Sequence, residues 1–112
     1  MDFLKEVSFA VTICDREGIV LDMNDKAIAT FVKDGKSIVG QSLMDCHPEP
    51  ARTKLKEMLQ KQNVNAYTIE KNGAKKLIYQ APWFKDGEFA GYAELSMELP
   101  EEMPHFVRKN QN

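Results

Sequence analysis

The chain predicts an α+β fold in which an antiparallel sheet carries its helices on one face, and three observations lead there. Two polar residues followed by glycine recur as Arg16-Glu17-Gly18, Lys71-Asn72-Gly73 and Lys85-Asp86-Gly87, each between runs rich in β-branched and aromatic residues. Glycine tolerates the left-handed backbone that closes such a bend, so each reads as a hairpin. Between the first hairpin and the other two lie stretches whose apolar residues recur at helical spacing.

Taken in order, Phe3, Leu4 and Val7 predict a short amphipathic turn over residues 1–7. Ser8 to Asp15 and Ile19 to Met23 form the first hairpin. Asn24 is a good N-cap for a helix that gathers Ala27, Ile28, Phe31 and Val32 on one side. Lys33-Asp34-Gly35-Lys36 ends it, and a turn through Ser37, Ile38 and Val39 leads to Gly40. The connector Gly40 to Leu55 passes through Asp45-Cys46-His47-Pro48-Glu49-Pro50 into a second helix. There Ala51, Leu55, Met58 and Leu59 make the apolar stripe, Pro50 suits the first turn, and Glu49 complements the helix dipole. That helix should stop near Gln62 and Asn63. Strands over Asn65 to Glu70, Ala74 to Phe84 and Glu88 to Leu99 follow, and residues 100–112 read as a surface tail.

Read as three-residue loops, the bends pair Asp15 with Ile19, Ile13 with Leu21 and Val11 with Met23. They likewise pair Tyr67 with Leu77, Trp83 with Phe89, Tyr79 with Ala93 and Leu77 with Leu95. Odd-numbered residues then share the face turned to the core, because a slip by one would bury Lys76, Glu94 and Glu98. The even-numbered face, with Ala10, Val20, Ile78, Phe84 and Tyr92, is left outside as an apolar patch, and a homodimer through it is expected. The would-be partner of Pro82 toward the preceding strand lies back in the helix, so its missing N–H costs no ladder bond.

Composition bounds the rest. At 112 residues with 43% hydrophobic and 29% charged residues, the chain is one globular domain with a core of its own. Fifteen basic against seventeen acidic residues leave a net charge of −2, which points to neither nucleic acid nor a membrane surface. Lys54, Lys56, Lys61, Lys71, Lys75 and Lys76 read as a solvated surface. No leader or membrane span stands in the sequence, so a cytoplasmic location is expected, and Cys14 and Cys46 read as reduced thiols.

In these landmarks the chain resembles the PAS sensor domains: Ile13-Cys14-Asp15 with Gly18 and Ile19, Asn24 followed by Ala27, Val39-Gly40-Gln41-Ser42-Leu43, then Asp86-Gly87 with Gly91-Tyr92. The Cys46-His47-Pro48 stretch is similar to that of a bacterial subgroup of these domains. The resemblance covers residues 8–99 and implies a five-stranded sheet in spatial order 2-1-5-4-3 with helices over its concave face. It implies a cavity lined by Phe31, Leu43, Leu55 and Met58 from the helical side, and by Tyr67, Tyr79 and Leu95 from the sheet, with Cys46 and His47 at its mouth.

Haem is the cofactor the resemblance brings to mind, with His47 as axial ligand; the plainer expectation is that His47 orders its loop through a backbone hydrogen bond. Flavin is disfavoured, because Asp45-Cys46-His47-Pro48 lacks the arginine and glutamine of the light-sensing branch. Cys46 beside His47 suggests a redox-sensing thiol, against a plain semi-buried side chain. Tyr67, Tyr79, Trp83, Phe84 and Phe89 read as core before they read as a ligand cage. The resemblance thus implies a non-enzymatic signal-sensing and protein-interaction module of bacterial-type signal transduction. It would bind a small ligand and pass a conformational bias to a signalling partner along the last strand. The rivals are a fully packed adaptor or dimerisation domain and a thiol-dependent enzyme at Cys46 and His47. With no room for an output domain in the remaining residues, the chain is expected to be either an excised sensor or a stand-alone protein.

Overall fold

A computed structural model describes residues 1–32 and 34–110; Lys33, Gln111, Asn112 and the side chain of Cys46 lie outside that description. The five strands are β1 (Ala10–Asp15), β2 (Val20–Met23), β3 (Asn65–Lys71), β4 (Ala74–Lys85) and β5 (Glu88–Leu99). They form one antiparallel sheet in the order β2-β1-β5-β4-β3, the order that the resemblance implies. Helices α1 (Asp25–Phe31), α2 (Leu43–Cys46) and α3 (Ala51–Lys61) fall between β2 and β3. The N-terminal turn is a short 3-10 helix, Asp2–Leu4, and residues 102–110 carry no regular structure.

Asn24 holds the front of the domain together. It is fully buried, and all four of its hydrogen-bonding positions are used. Its Oδ1 accepts from the N–H groups of Val11 (2.9 Å) and Ala27 (3.0 Å), and its Nδ2 donates to the carbonyls of Leu4 and Phe9 (both 2.8 Å). One side chain thereby caps α1, closes the edge of the first hairpin and ties down the N-terminal segment. Beneath α1 lies the tightest apolar cluster, Ala10, Val20, Met23 and Ala27, with Ile28, Val32, Ile38 and Leu43 packed around it. Burying side chains such as Val20 contributes about 1.5–3 kcal/mol each.

The register departs from expectation by one residue, for a local reason. The loops after β3 and β4 have two residues, not three. Asn72 and Gly73 have φ of 53° and 80°, as do Asp86 and Gly87, which is the type I′ turn that matches strand twist. Lys71 therefore pairs with Ala74 and Lys85 with Glu88. Tyr67 pairs with Ile78, and a bulge beside Phe84 moves the β4–β5 pairing by one residue more, so that Tyr79 stands opposite Leu95 where Ala93 was expected. Only the first bend is the expected three-residue loop, with Gly18 at φ 85° and Asp15 N–H bonded to Ile19 O at 2.9 Å. A bulge at Leu21 then shifts its register, setting Thr12 opposite Met23.

As a result the helices cover the even-numbered face of β1, β4 and β5. Ala10, Thr12, Cys14, Ile78, Tyr92 and Ser96 are buried there, while Leu21 and Tyr79 are 45% and 39% exposed. Tyr79 and Leu95, expected to line the cavity, are cross-strand partners on the outer face. The outer apolar patch is accordingly Ile13, Leu77, Tyr79, Trp83, Leu95 and Met97, and not the even-numbered set expected from the sequence.

Candidate functional site

The connector is built from hydrogen bonds that leave two helices standing over the sheet. Ser42 caps α2 by accepting from Met44 N–H at 3.1 Å, and Val20 and Gln41 are joined by an N–H···O=C bond of 2.9 Å. His47 follows α2 in extended geometry, as a residue before proline should. Arg52 reaches back from α3 and donates through Nε to the carbonyls of Met44 (2.9 Å) and His47 (3.3 Å). Glu49 receives the N–H and hydroxyl of Thr53 at the start of α3, and those bonds hold its carboxyl below the usual range. The far end of α3 is fastened by Tyr92, whose hydroxyl lies 2.7 Å from Met58 O and 2.8 Å from Asn63 O.

Between these two fastenings α3 buries none of its residues. Leu55, Met58 and Leu59 are half-buried. The helix roofs a hollow where a packed core would have closed around it. Three adjoining spaces of 270, 70 and 380 Å³ lie beneath α2 and α3, and the residues common to all three are His47 and Glu94. Larger dips, of 540 and 480 Å³, are surface features at the hairpin tips and beside Ser8 and Lys26.

Of the residues expected at the site, His47, Leu43, Leu55, Met58, Tyr67 and Phe31 all line these spaces. Tyr79 and Leu95 do not, because they lie on the other side of the sheet. Cys46 closes α2, but its side chain lies outside the described residues. What sequence reasoning missed is a polar chain across the floor of the hollow. Asn65 Nδ2 donates to Gln80 Oε1 at 2.8 Å, and Gln80 Nε2 donates to Glu94 Oε1 at 2.9 Å. These are direct cross-strand neighbours on β3, β4 and β5. Their signal in the sequence was the very polarity that argued for placing them outside.

The electrostatics follow from burial. Desolvation raises the Glu94 pKa, against the opposing pull of the Gln80 bond and of His47. Burial and the nearby Glu94 push the Tyr67 phenol up as well, and burial does the same to the Cys14 thiol. Cys14 is thus a poor nucleophile. His47 Nδ1 lies 2.7 Å from Leu43 O. A carbonyl only accepts, so Nδ1 carries the proton, and in the neutral ring Nε2 is an acceptor. The loop-ordering bond expected of His47 and its place at the cavity wall are therefore one arrangement.

Haem does not fit these residues. Its axial bond would fall to Nε2 of His47, but the macrocycle would then cover a floor that ends in the Glu94 carboxylate. An apolar ring laid over that floor would cut the Gln80–Glu94 end of the polar chain off from water without offering it a hydrogen-bond partner. Among the described residues there is also no cluster of three His, Cys, Asp or Glu side chains able to hold a metal, and no helix long and apolar enough to cross a membrane.

No protein-family model matches the chain, and no curated protein matches its sequence. Solved structures do resemble it. The C-terminal domain of a Streptococcus mutans protein is 19% identical, with a TM-score of 0.68 over 86% of this chain and 79% of that one. A sensory box sensor histidine kinase from Vibrio cholerae is 14% identical, with a TM-score of 0.66 over 90% and 89%. The PAS domain of BvgS from Bordetella pertussis is 16% identical, with a TM-score of 0.66 over 89% and 83%. At such identities the likeness is one of fold.

Proposed function

We propose that this chain, which has the PAS fold, is a signal-sensing module of bacterial-type signal transduction that takes a small polar ligand into the hollow under α2 and α3. The observation that carries this reading is the meeting of His47 and Glu94 at every part of that hollow. A space walled by half-buried apolar side chains and floored by a few converging polar groups is what small-molecule recognition needs. The role in this reading is binding: the buried thiol of Cys14 beside the hollow has its pKa raised and is a poor nucleophile. The module works in the cytoplasm, where its cysteines stay reduced.

The output passes through β5. Glu94 lies at the hollow, and the next residue, Leu95, stands on the outer face beside Tyr79 and Val11. A ligand that pulls on Glu94 shifts the strand that carries the outer apolar face. A second copy of the chain docks on that face, and the resulting homodimer relays the bias to a signalling partner.

The reading is tested by amide NMR with three small aromatic probes, benzamidine, benzamide and benzoate. Shifts concentrated on residues 43–58 and on the inner residues of β3, β4 and β5 are expected for at least one probe. Shifts confined to the hairpin tips at residues 15–17 and 85–88, or none with any probe, would overturn it.

A further inference from the structure

The geometry points to a ligand class: a small flat cation carrying at least two N–H donors, of the amidinium or protonated amino-heterocycle kind, held between Glu94 and His47. This rests on the reading of the hollow as a binding site and adds the charge and hydrogen-bonding sense of what enters it.

The floor chain has a direction. Asn65 donates to Gln80, and Gln80 donates to Glu94 Oε1. Every donor points toward Glu94, so the chain ends in an acceptor, with Oε2 of Glu94 left by Gln80 for something else. Among the described residues no ion pair involves that carboxylate: the ion pairs there are Met1 with Asp22 and Lys5 with Asp25. Across the hollow, the Leu43 bond takes up Nδ1 of His47 and leaves Nε2, which in a neutral ring is a second acceptor. Two acceptors on one site, one of them a half-buried carboxylate, call for two donors and a positive charge between them.

The walls select shape. Leu55, Met58 and Tyr67 enclose the 270 Å³ space, and Phe31, Ile69 and Ile78 enclose the 380 Å³ space. Aliphatic and aromatic surfaces of this kind sandwich a flat body, and an aromatic face adds attraction for a cation. Lys54 lines the edge of the same space and is exposed, where water screens its charge, and among the described residues no ion pair joins it to Glu94.

The test is a titration of the full chain at pH 8 with benzamidine, its neutral isostere benzamide and the anion benzoate, read from the side-chain amide signals of Asn65 and Gln80. Benzamidine is expected to bind at least tenfold more tightly than benzamide, with benzoate weakest. In Glu94→Gln, which can keep the Gln80 bond and whose fold is checked by circular dichroism, benzamidine is expected to fall to the level of benzamide. In His47→Phe it should weaken several-fold while the ranking stays. Equal or tighter binding of benzamide or benzoate, or an unchanged benzamidine affinity in Glu94→Gln, would overturn the cation assignment while leaving the hollow a binding site. Failure of all three probes to move those signals would overturn both.

Discussion

Gln80 and Glu94 are direct cross-strand partners on β4 and β5, joined side chain to side chain at 2.9 Å beneath the helices. Burial raises the pKa of the Glu94 carboxyl, with the Gln80 bond and His47 working against it. The folded protein then holds this proton to higher pH than the unfolded chain does. Stability therefore declines as pH rises from the unfolded carboxylate value, near 4.3, through the folded one. Thr12, Cys14, His47, Lys54, Tyr67 and Tyr92 surround the same hollow and remain common to both proteins compared. Glu94→Gln should unfold later than the parent at pH 7–8 and show no such advantage at pH 3.5. Urea titrations at the two pH values check this, and a parent more stable than the variant at pH 8 would contradict it.

Gly91 should be the least replaceable glycine. With φ at 155°, it lies between Asp15 and Trp83 across three strands, and a Cβ there would stand 1.9 Å from Cys14 O. The space is already used, because Trp83 Nε1 donates to that same carbonyl at 2.9 Å. Gly91→Ala is expected to cost about 3 kcal/mol or more, by steric conflict with backbone and loss of that bond. Gly73→Ala, also at positive φ but in open space, should cost only about 1 kcal/mol. Thermal unfolding of the pair gives the comparison.

Replacing Asn24 should loosen three segments together. Asn24→Ala strips partners from the N–H groups of Val11 and Ala27 and from the carbonyls of Leu4 and Phe9. A loss of about 3 kcal/mol or more is expected, since several of these groups stay buried. Hydrogen exchange should quicken in residues 2–5 and in α1 before the β4–β5 hairpin is affected.

Tyr79→Glu should leave the fold standing and abolish self-association. The side chain is 39% exposed in the single chain and sits amid the outer apolar patch. A charge there is free in the monomer and buried in a pair. Sedimentation equilibrium at tens of micromolar is expected to give a dimer for the parent and a monomer for the variant.

Much of the architecture was legible. Element order apart from the short α2, the Asn24 cap and the stop of α3 at Gln62 follow from turns, caps and helical spacing, and the strand order is the one the resemblance implies. The inward face was not, and two physical causes account for it. Asn72-Gly73 and Asp86-Gly87 are two-residue type I′ signals, and reading a third residue into each loop moved the register by one. Hydrophobic alternation then reinforced the slip, because β1 and β4 carry Ile13, Leu77 and Tyr79 on the face away from the helices while Thr12 and Gln80 face them. Apolar patterning identifies the face that packs. A face that lines a hollow keeps polar groups that bond to one another, and Asn65, Gln80 and Glu94 do so. Leu43, Leu55 and Met58 on the helices and His47 just after α2 line the hollow despite the slip, because their placement never depended on strand register.

All of this turns on which side of β4 and β5 lies under α3, and nuclear Overhauser contacts from the Met58 methyl read it directly. Met58 Sδ lies 3.8 Å from Asn65 Nδ2, next to Gln80 in the floor chain. Cross-peaks from that methyl to the side-chain amides of Asn65 and Gln80 are the predicted result; cross-peaks to the Tyr79 ring or the Leu95 methyls would contradict it.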